Sequence, residues 1–240
     1  KCSTENADNP EAFRRTQLRR AIVFLLIFAP VFSLFTNDVL LALEPKWYST
    51  MWGVYCFSGA LLSAVALTML IAFWLKGRTP FVRERQMYDL GTYVMAFATF
   101  MAYIGFSQFM LIWYANIPEE IVYYTARYEG GWVWLTLALP LFKFIIPFFV
   151  LMPPAMRTNI VAQAICCGAI LFGQLLDIYW MVAPVFGDAA YWPSIWNILT
   201  FLGVMGFFGW STLTFLSRHS VLPVGDPDLL NSINGEYLHA

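Results

Sequence analysis

Six stretches of this chain, at about residues 21–42, 51–75, 89–114, 131–152, 159–183 and 194–216, are almost continuously apolar. A helix needs about 20 mainly apolar residues to cross a hydrocarbon layer roughly 30 Å thick, at about 1.5 Å per residue. Each stretch therefore predicts a transmembrane helix. The breaks between them carry turn chemistry: "EPKWYST" with Pro45, "KGRTPFVRERQ" with Gly77 and Pro80, "ANIPEE" and "YEGG" around a polar loop, "PPAMRTN" as a tight turn, and "FGDAAYWPS" as a short connection. No internal repeat is visible.

Composition agrees, since 60% of the 240 residues are hydrophobic and 12% charged, against about 25% charged in a soluble domain. The expected fold is all-α, a polytopic membrane bundle of six transmembrane helices. A cytoplasmic segment (1–20) would precede the membrane domain (21–216), and a cytoplasmic tail (217–240) would follow it. The chain opens on Lys1 with a polar, charged segment unlike a signal peptide, and is expected to be the remainder of something longer.

Basic residues set the orientation. Let side A be the side of the N-terminus. Of the 14 lysines and arginines, 11 fall on side A, Lys46 and Arg127 fall on side B, and Lys143 lies within a span. Side A is thus expected to be cytoplasmic, with both termini on it. Eight of the ten tryptophans lie towards side B, leaving Trp74 and Trp210 towards A. An interfacial belt accounts for part of this loading, and a partner docked on side B is the sharper reading.

Several chemistries find no support. Cys2, Cys56, Cys166 and Cys167 show no CxxC or CxxCH spacing, and the two histidines, His219 and His239, both lie in the tail. A haem held between two membrane histidines is excluded within this chain, and no metal is expected. There is no phosphate-cradling glycine loop and no nucleophile with a histidine at hand. Nothing suggests nucleic-acid binding. A non-catalytic subunit, with substrate chemistry done elsewhere, is the expectation.

The anomalies are polar groups at membrane depth. Asp177 lies seven residues before Pro184, about 10 Å inside the side B boundary. An ionised carboxylate there costs several kcal/mol unless hydrated, paired or protonated. Gln163, Cys167, Ile170, Gln174 and Asp177 recur on one helical face, so that face should meet protein or water. Lys143, in "LFKFIIPFF", is the second anomaly. Counted from a turn near residue 155, Lys143 and Asp177 differ in depth by roughly 15 Å, whereas a lysine reaches about 6 Å. No direct ion pair is expected on that straight-hairpin count, although Pro140 and Pro147 can bend the fourth span.

The third span can fill the gap. Thr92, Thr99, Tyr103 and Ser107 form a stripe with Gln108 beside it, and a ladder from Lys143 through Thr99, Tyr103, Ser107 or Gln108 and Gln174 to Asp177 would carry exchangeable protons. Tyr179 joins the candidates for this proton path. The competing reading is that the hydroxyls and amides bind helices together. Asp38, near the end of span one, and the acid pair Glu119 and Glu120 are candidates for an outer exit or a docking contact; interfacial or solvated surface is their plainer reading.

Five segments, in order, carry a resemblance: "LEPKWYSTMWGVYCFSGA", "FSQFMLIWYANIPEE", "PLFKFIIPFF", "LLDIYWMVAP" and "RHSVLPVGDPDLL". Together they resemble the C-terminal part of the F subunits (ActF) of bacterial alternative complex III, a quinol:electron-acceptor oxidoreductase, within the wider NrfD or polysulfide-reductase membrane family. The resemblance covers nearly the whole chain. It implies a parent fold of about ten helices in two four-helix bundles, of which this chain holds the last six: the second bundle plus a flanking helix on each side, with about four helices before Lys1. It also implies a bacterial inner-membrane location and a role in assembly and proton conduction. Implied partners are an NrfD-like C subunit credited with the quinone, an iron–sulfur subunit, c-type cytochrome subunits, lipids and a terminal oxidase. Haem c and iron–sulfur clusters would sit in those partners, and no cofactor in this chain. Relatives place histidines where this chain has Lys143 and Gln174; glutamine cannot ionise, so Asp177 with Tyr103 becomes the economical core of a relay. Alternatives are a quinone-binding redox subunit and a secondary ion or solute transporter, the latter disfavoured because no repeat is visible and no glycine pair interrupts a span at mid-depth.

Overall fold

The computed structural model describes residues 10–76, 82, 84–187 and 192–218. His219, His239 and the rest of the tail, together with Cys2, Arg78 and Arg83, lie outside the described residues. The protein is an all-helical membrane bundle. Its helices are α1 (Pro10–Val39), α2 (Trp52–Leu75), α3 (Glu84–Ala115), α4 (Pro118–Tyr128), α5 (Trp132–Pro140), α6 (Ile146–Leu151), α7 (Ile160–Val182) and α8 (Ile195–Arg218). Short 3₁₀ turns at Leu41–Leu43, Pro154–Arg157 and Ala183–Phe186 join some of them. Among the described residues, six helical stretches are long and apolar enough to cross a membrane, one for each predicted span. The first helix begins at Pro10, well before the expected boundary at residue 21.

The chain divides into two compact units, residues 30–191 and residues 1–29 with 192–240. In the second of these, α8 contains no buried residue, and large apolar side chains such as Phe207, Trp210 and Leu213 are exposed along it. A helix apolar on all sides belongs in lipid or against other membrane helices.

The first unit holds the four-helix bundle. Helices α2, α3, the α5–α6 span and α7 pack as a ring, α2 against both α3 and α7, and the α5–α6 span against both α7 and α3. Local sequence explains the joints. Asn159 caps α7, its Oδ1 accepting from the backbone N–H of Val161 at 2.9 Å and Ala162 at 3.1 Å, as a helix start requires. Pro118 opens α4 in the first turn, where its missing N–H is no loss.

The fourth span is not a regular helix. Residues Leu141–Ile145 form a π-helical turn between α5 and α6, closed by the Ile146 N–H on the Leu141 carbonyl. Pro147 explains it. That residue has no N–H for the Lys143 carbonyl four positions back, and in a continuous α-helix its ring would press on that carbonyl. The wider turn relieves the conflict at Lys143 itself, and π-turns inside α-helices often mark functional sites.

Candidate functional site

Lys143 and Asp177 meet. The lysine Nζ lies 2.6 Å from Asp177 Oδ2, and both residues are buried, with 4% and 1% of their surface exposed. This overturns the expectation that a direct pair is out of reach. The count failed because it assumed two straight helices symmetric about residue 155. In the structure, a Cβ added at Gly173 would lie 2.8 Å from Lys143 Cγ and 3.0 Å from Phe142 Cβ. The lysine backbone is therefore level with Gly173, and only the one turn from Gly173 to Asp177, about 6 Å, remains for its stem to cover. Gly173 is the residue that lets the two helices approach this closely.

A third group completes the site. The Tyr55 hydroxyl donates to Asp177 Oδ1 at 2.6 Å, so each carboxylate oxygen has its own partner. Gln174 closes the floor: a Cβ at Gly59 would lie 2.8 Å from Gln174 Oε1 and 3.3 Å from Lys143 Nζ, which places amide and ammonium together against α2. Gln174 Oε1 has no hydrogen-bond partner, although a lysine ammonium carries three donors. Chemically, the cluster is a buried ion pair with a phenol on one side and a free amide acceptor on the other.

Sequence reasoning missed Tyr55, since an aromatic residue in an apolar span carries no charge to betray it. The usable signal was its place one helical turn before Gly59, on the face of α2 that needs a small residue.

The third-span stripe is arranged differently from the expected ladder. Thr92 Oγ1 donates to the Tyr88 carbonyl and Thr99 Oγ1 to the Met95 carbonyl, each within its own helix. Tyr103 is 65% exposed and Ser107 is half-buried. Gln108 is buried, but its Nε2 donates 3.1 Å to Ser49 Oγ in the side B connection. Of the expected path, the structure brings Lys143, Gln174 and Asp177 together; Thr99 and Tyr103 face away. Tyr179 is half-buried, its ring 6.3 Å from that of Trp132. On α7, the face through Gln163, Cys167, Ile170 and Asp177 is the buried one.

Above the ion pair, towards side B, lies a cavity of about 360 Å³. Tyr55 and Lys143 belong to its wall, with Ala102 and Gly105 of α3, Thr136 of α5 and the aromatic rings of α4. Its roof is a second assembly that the sequence hid. Arg127, which the sequence marks only as a basic residue of side B, is completely buried. It pairs with Glu44 at 3.3 Å and donates to the carbonyls of Tyr123 (2.8 Å), Trp180 (3.1 Å) and Met181 (2.9 Å). Its guanidinium carbon sits 3.4 Å from the centre of the Tyr123 ring, a stacked cation–π contact. Trp180 Nε1 donates to Thr136 Oγ1 at 2.7 Å, and that hydroxyl contacts the Arg127 carbonyl at 2.9 Å. Arg127 thus fastens α4 to the end of α7. Burial pushes the Tyr123 phenol well above its ordinary pKa, against the opposing pull of Arg127, so it stays protonated.

The other acidic candidates lie at the periphery. Asp38 and Glu119 are exposed and Glu120 is half-buried. Glu119 and Glu120 occupy the first turn of α4, where negative charge suits the helix dipole. Glu120 contributes its backbone carbonyl, which accepts the Trp47 indole N–H at 3.0 Å. Among the described residues no three His, Cys, Asp or Glu side chains gather as metal ligands. No protein-family model matches this sequence, and no curated protein matches it significantly.

Proposed function

We propose that this chain is an integral subunit of a quinol:electron-acceptor oxidoreductase of the alternative complex III type, placed in a bacterial inner membrane with side A cytoplasmic, where it supports assembly and handles protons at Asp177. One observation carries the proton-handling part: an ion pair with a hydrogen-bonded phenol is kept deep in a membrane bundle. Replacing a buried pair by apolar residues of similar volume is often neutral or stabilising, so its presence calls for a use beyond stability. The motifs that resemble F subunits supply the kind of complex, and the surrounding partners would be an NrfD-like C subunit, an iron–sulfur subunit and c-type cytochromes.

In this reading Asp177 accepts and releases a proton, Lys143 is its ion-pair partner at one oxygen, and Tyr55 fixes the second oxygen. Asp177→Asn in the reconstituted complex tests it. The expected outcome is a changed proton uptake or release per quinol oxidised; an unchanged stoichiometry and rate would leave a scaffold role only.

A second reading, in which the chain itself holds a quinone ring, is favoured by the aromatic-walled cavity beside Tyr55 and Lys143. A photoreactive quinone that labels α3 or α5 would support it. Labelling confined to a sister subunit would count against it.

A further inference from the structure

The bundle treats its two halves unequally around the ion pair. Towards side A, the interior is filled by Leu62, Ala66 and Met69 of α2, Val94 and Ala98 of α3, and Cys166 and Cys167 of α7, all with no exposed surface. From Gly59, which faces the lysine ammonium, to Met69 is ten residues, or about 15 Å of closed apolar packing. Half-buried Ser63 and Thr92 spend their hydroxyls on carbonyls of their own helices, those of Gly59 and Tyr88, and at the far edge Gln163 donates to the Met87 carbonyl and Arg157 to the Tyr88 hydroxyl at 3.1 Å.

Towards side B, the 360 Å³ cavity reaches from Lys143 and Tyr55 to α4. A second recess of about 480 Å³ adjoins it, its mainly apolar wall carrying the polar side chains of Asn116, Thr125 and Glu129. The two share Phe109, Tyr124 and Tyr128 as a common wall. The outer recess and the inner cavity, which reaches Lys143 and Tyr55, thus lie side by side with Phe109, Tyr124 and Tyr128 between them. Water is held in cavities that offer it polar partners and is absent from closed apolar packing.

We infer that the Lys143–Asp177 pair exchanges water and protons with side B alone, past the wall of Phe109, Tyr124 and Tyr128, and that the packed half gives it no proton path to side A. The inference builds on the proton-handling role of Asp177, but its test reads accessibility, so either can fail alone. If it holds, protons released at this site leave on the side where tryptophans are concentrated, and any proton arriving from side A needs a rearrangement of the packed half.

Ala102 lines the cavity, and Ala98, one turn away on the same helix, is fully buried in the apolar half. Each can be changed to Cys with the addition of a single heavy atom. The complete complex carrying Ala102→Cys or Ala98→Cys is placed in sealed vesicles of known orientation and treated with a small membrane-impermeant cationic methanethiosulfonate, with modification read by peptide mass. Such reagents need a hydrated thiolate. The expected result is modification of Ala102→Cys from side B at least about tenfold faster than from side A, with Ala98→Cys and the native Cys166 and Cys167 unmodified from either side. Modification of Ala98→Cys, Cys166 or Cys167 from side A, or an Ala102→Cys that resists the reagent from side B, would overturn the inference. Proton stoichiometry in the parent complex remains a separate readout of the role itself.

Discussion

The side A and side B halves of the four-helix bundle are built from the same kinds of helix and hold their interiors in different ways. The side A half is closed by size matching: small Ala66, Ala98 and the cysteines let Leu62, Met69 and Met87 fill the axis without exposed surface. The side B half is held open by polar fasteners at its roof and floor, Arg127 with Glu44 above and Lys143 with Asp177 below, with the cavity between them. Apolar packing alone closes a membrane bundle; a space within it is kept where charged and aromatic groups brace the walls. That contrast predicts which substitutions each half tolerates.

The largest effect is expected at the floor. Removing one partner of a buried ion pair leaves an uncompensated charge and costs about 3–5 kcal/mol. Asp177→Leu or Lys143→Met alone should therefore lower the unfolding midpoint in detergent sharply. The double variant should recover most of the loss. A double variant as unstable as either single change would mean that the two residues act separately.

Next comes the roof. Arg127→Met strands Glu44 and three buried carbonyls, and with hydrogen bonds to charged groups worth about 1.5–3 kcal/mol each the expected loss is about 3 kcal/mol, concentrated in α4. Limited proteolysis between residues 116 and 131 should speed up while the side A half stays protected. Uniform loss of protection across the bundle would contradict independent bracing of the two halves.

A smaller effect is expected from Gly173→Ala, because the new methyl would sit 2.8 Å from Lys143 Cγ. Overpacking of this kind costs about 1–3 kcal/mol and should push Lys143 away from Asp177. Stability measured in the Asp177→Asn background separates the terms: the steric loss should persist there, and the electrostatic part should vanish. Smallest of all, Thr99→Val and Tyr103→Phe should change stability by no more than about 0.5 kcal/mol and leave proton stoichiometry alone. A large proton effect from either would restore a third-span relay.

Much of this was legible in the sequence. The six spans follow from apolar length, and the buried face of α7 follows from the spacing of Gln163, Cys167, Ile170 and Asp177. The cost of burying Asp177 and Lys143 marked them as the groups to watch. What escaped was register. The meeting of Lys143 with Asp177 depends on a glycine four residues before the aspartate and on a proline four residues after the lysine, and neither carries polarity that a depth count can use. Tyr55 and Arg127 escaped for opposite reasons. A tyrosine in an apolar run looks like packing, and an arginine in a loop looks like a solvated charge, until the chain brings a carboxylate to one and three carbonyls to the other. The Thr99 and Tyr103 stripe misled because hydroxyls spaced on one helical face fit a relay and a lipid-facing surface equally well, and tyrosine readily turns its apolar body outward.

The proposed proton-handling role requires Asp177 to change its protonation during turnover. Redox-triggered infrared difference spectroscopy of the intact complex, compared with its Asp177→Asn variant, reads this at the carboxyl group itself. A carboxyl band that appears or disappears with quinol oxidation in the parent and is lost in the variant is the predicted result. Identical difference spectra for the two proteins in the carboxyl region would contradict it.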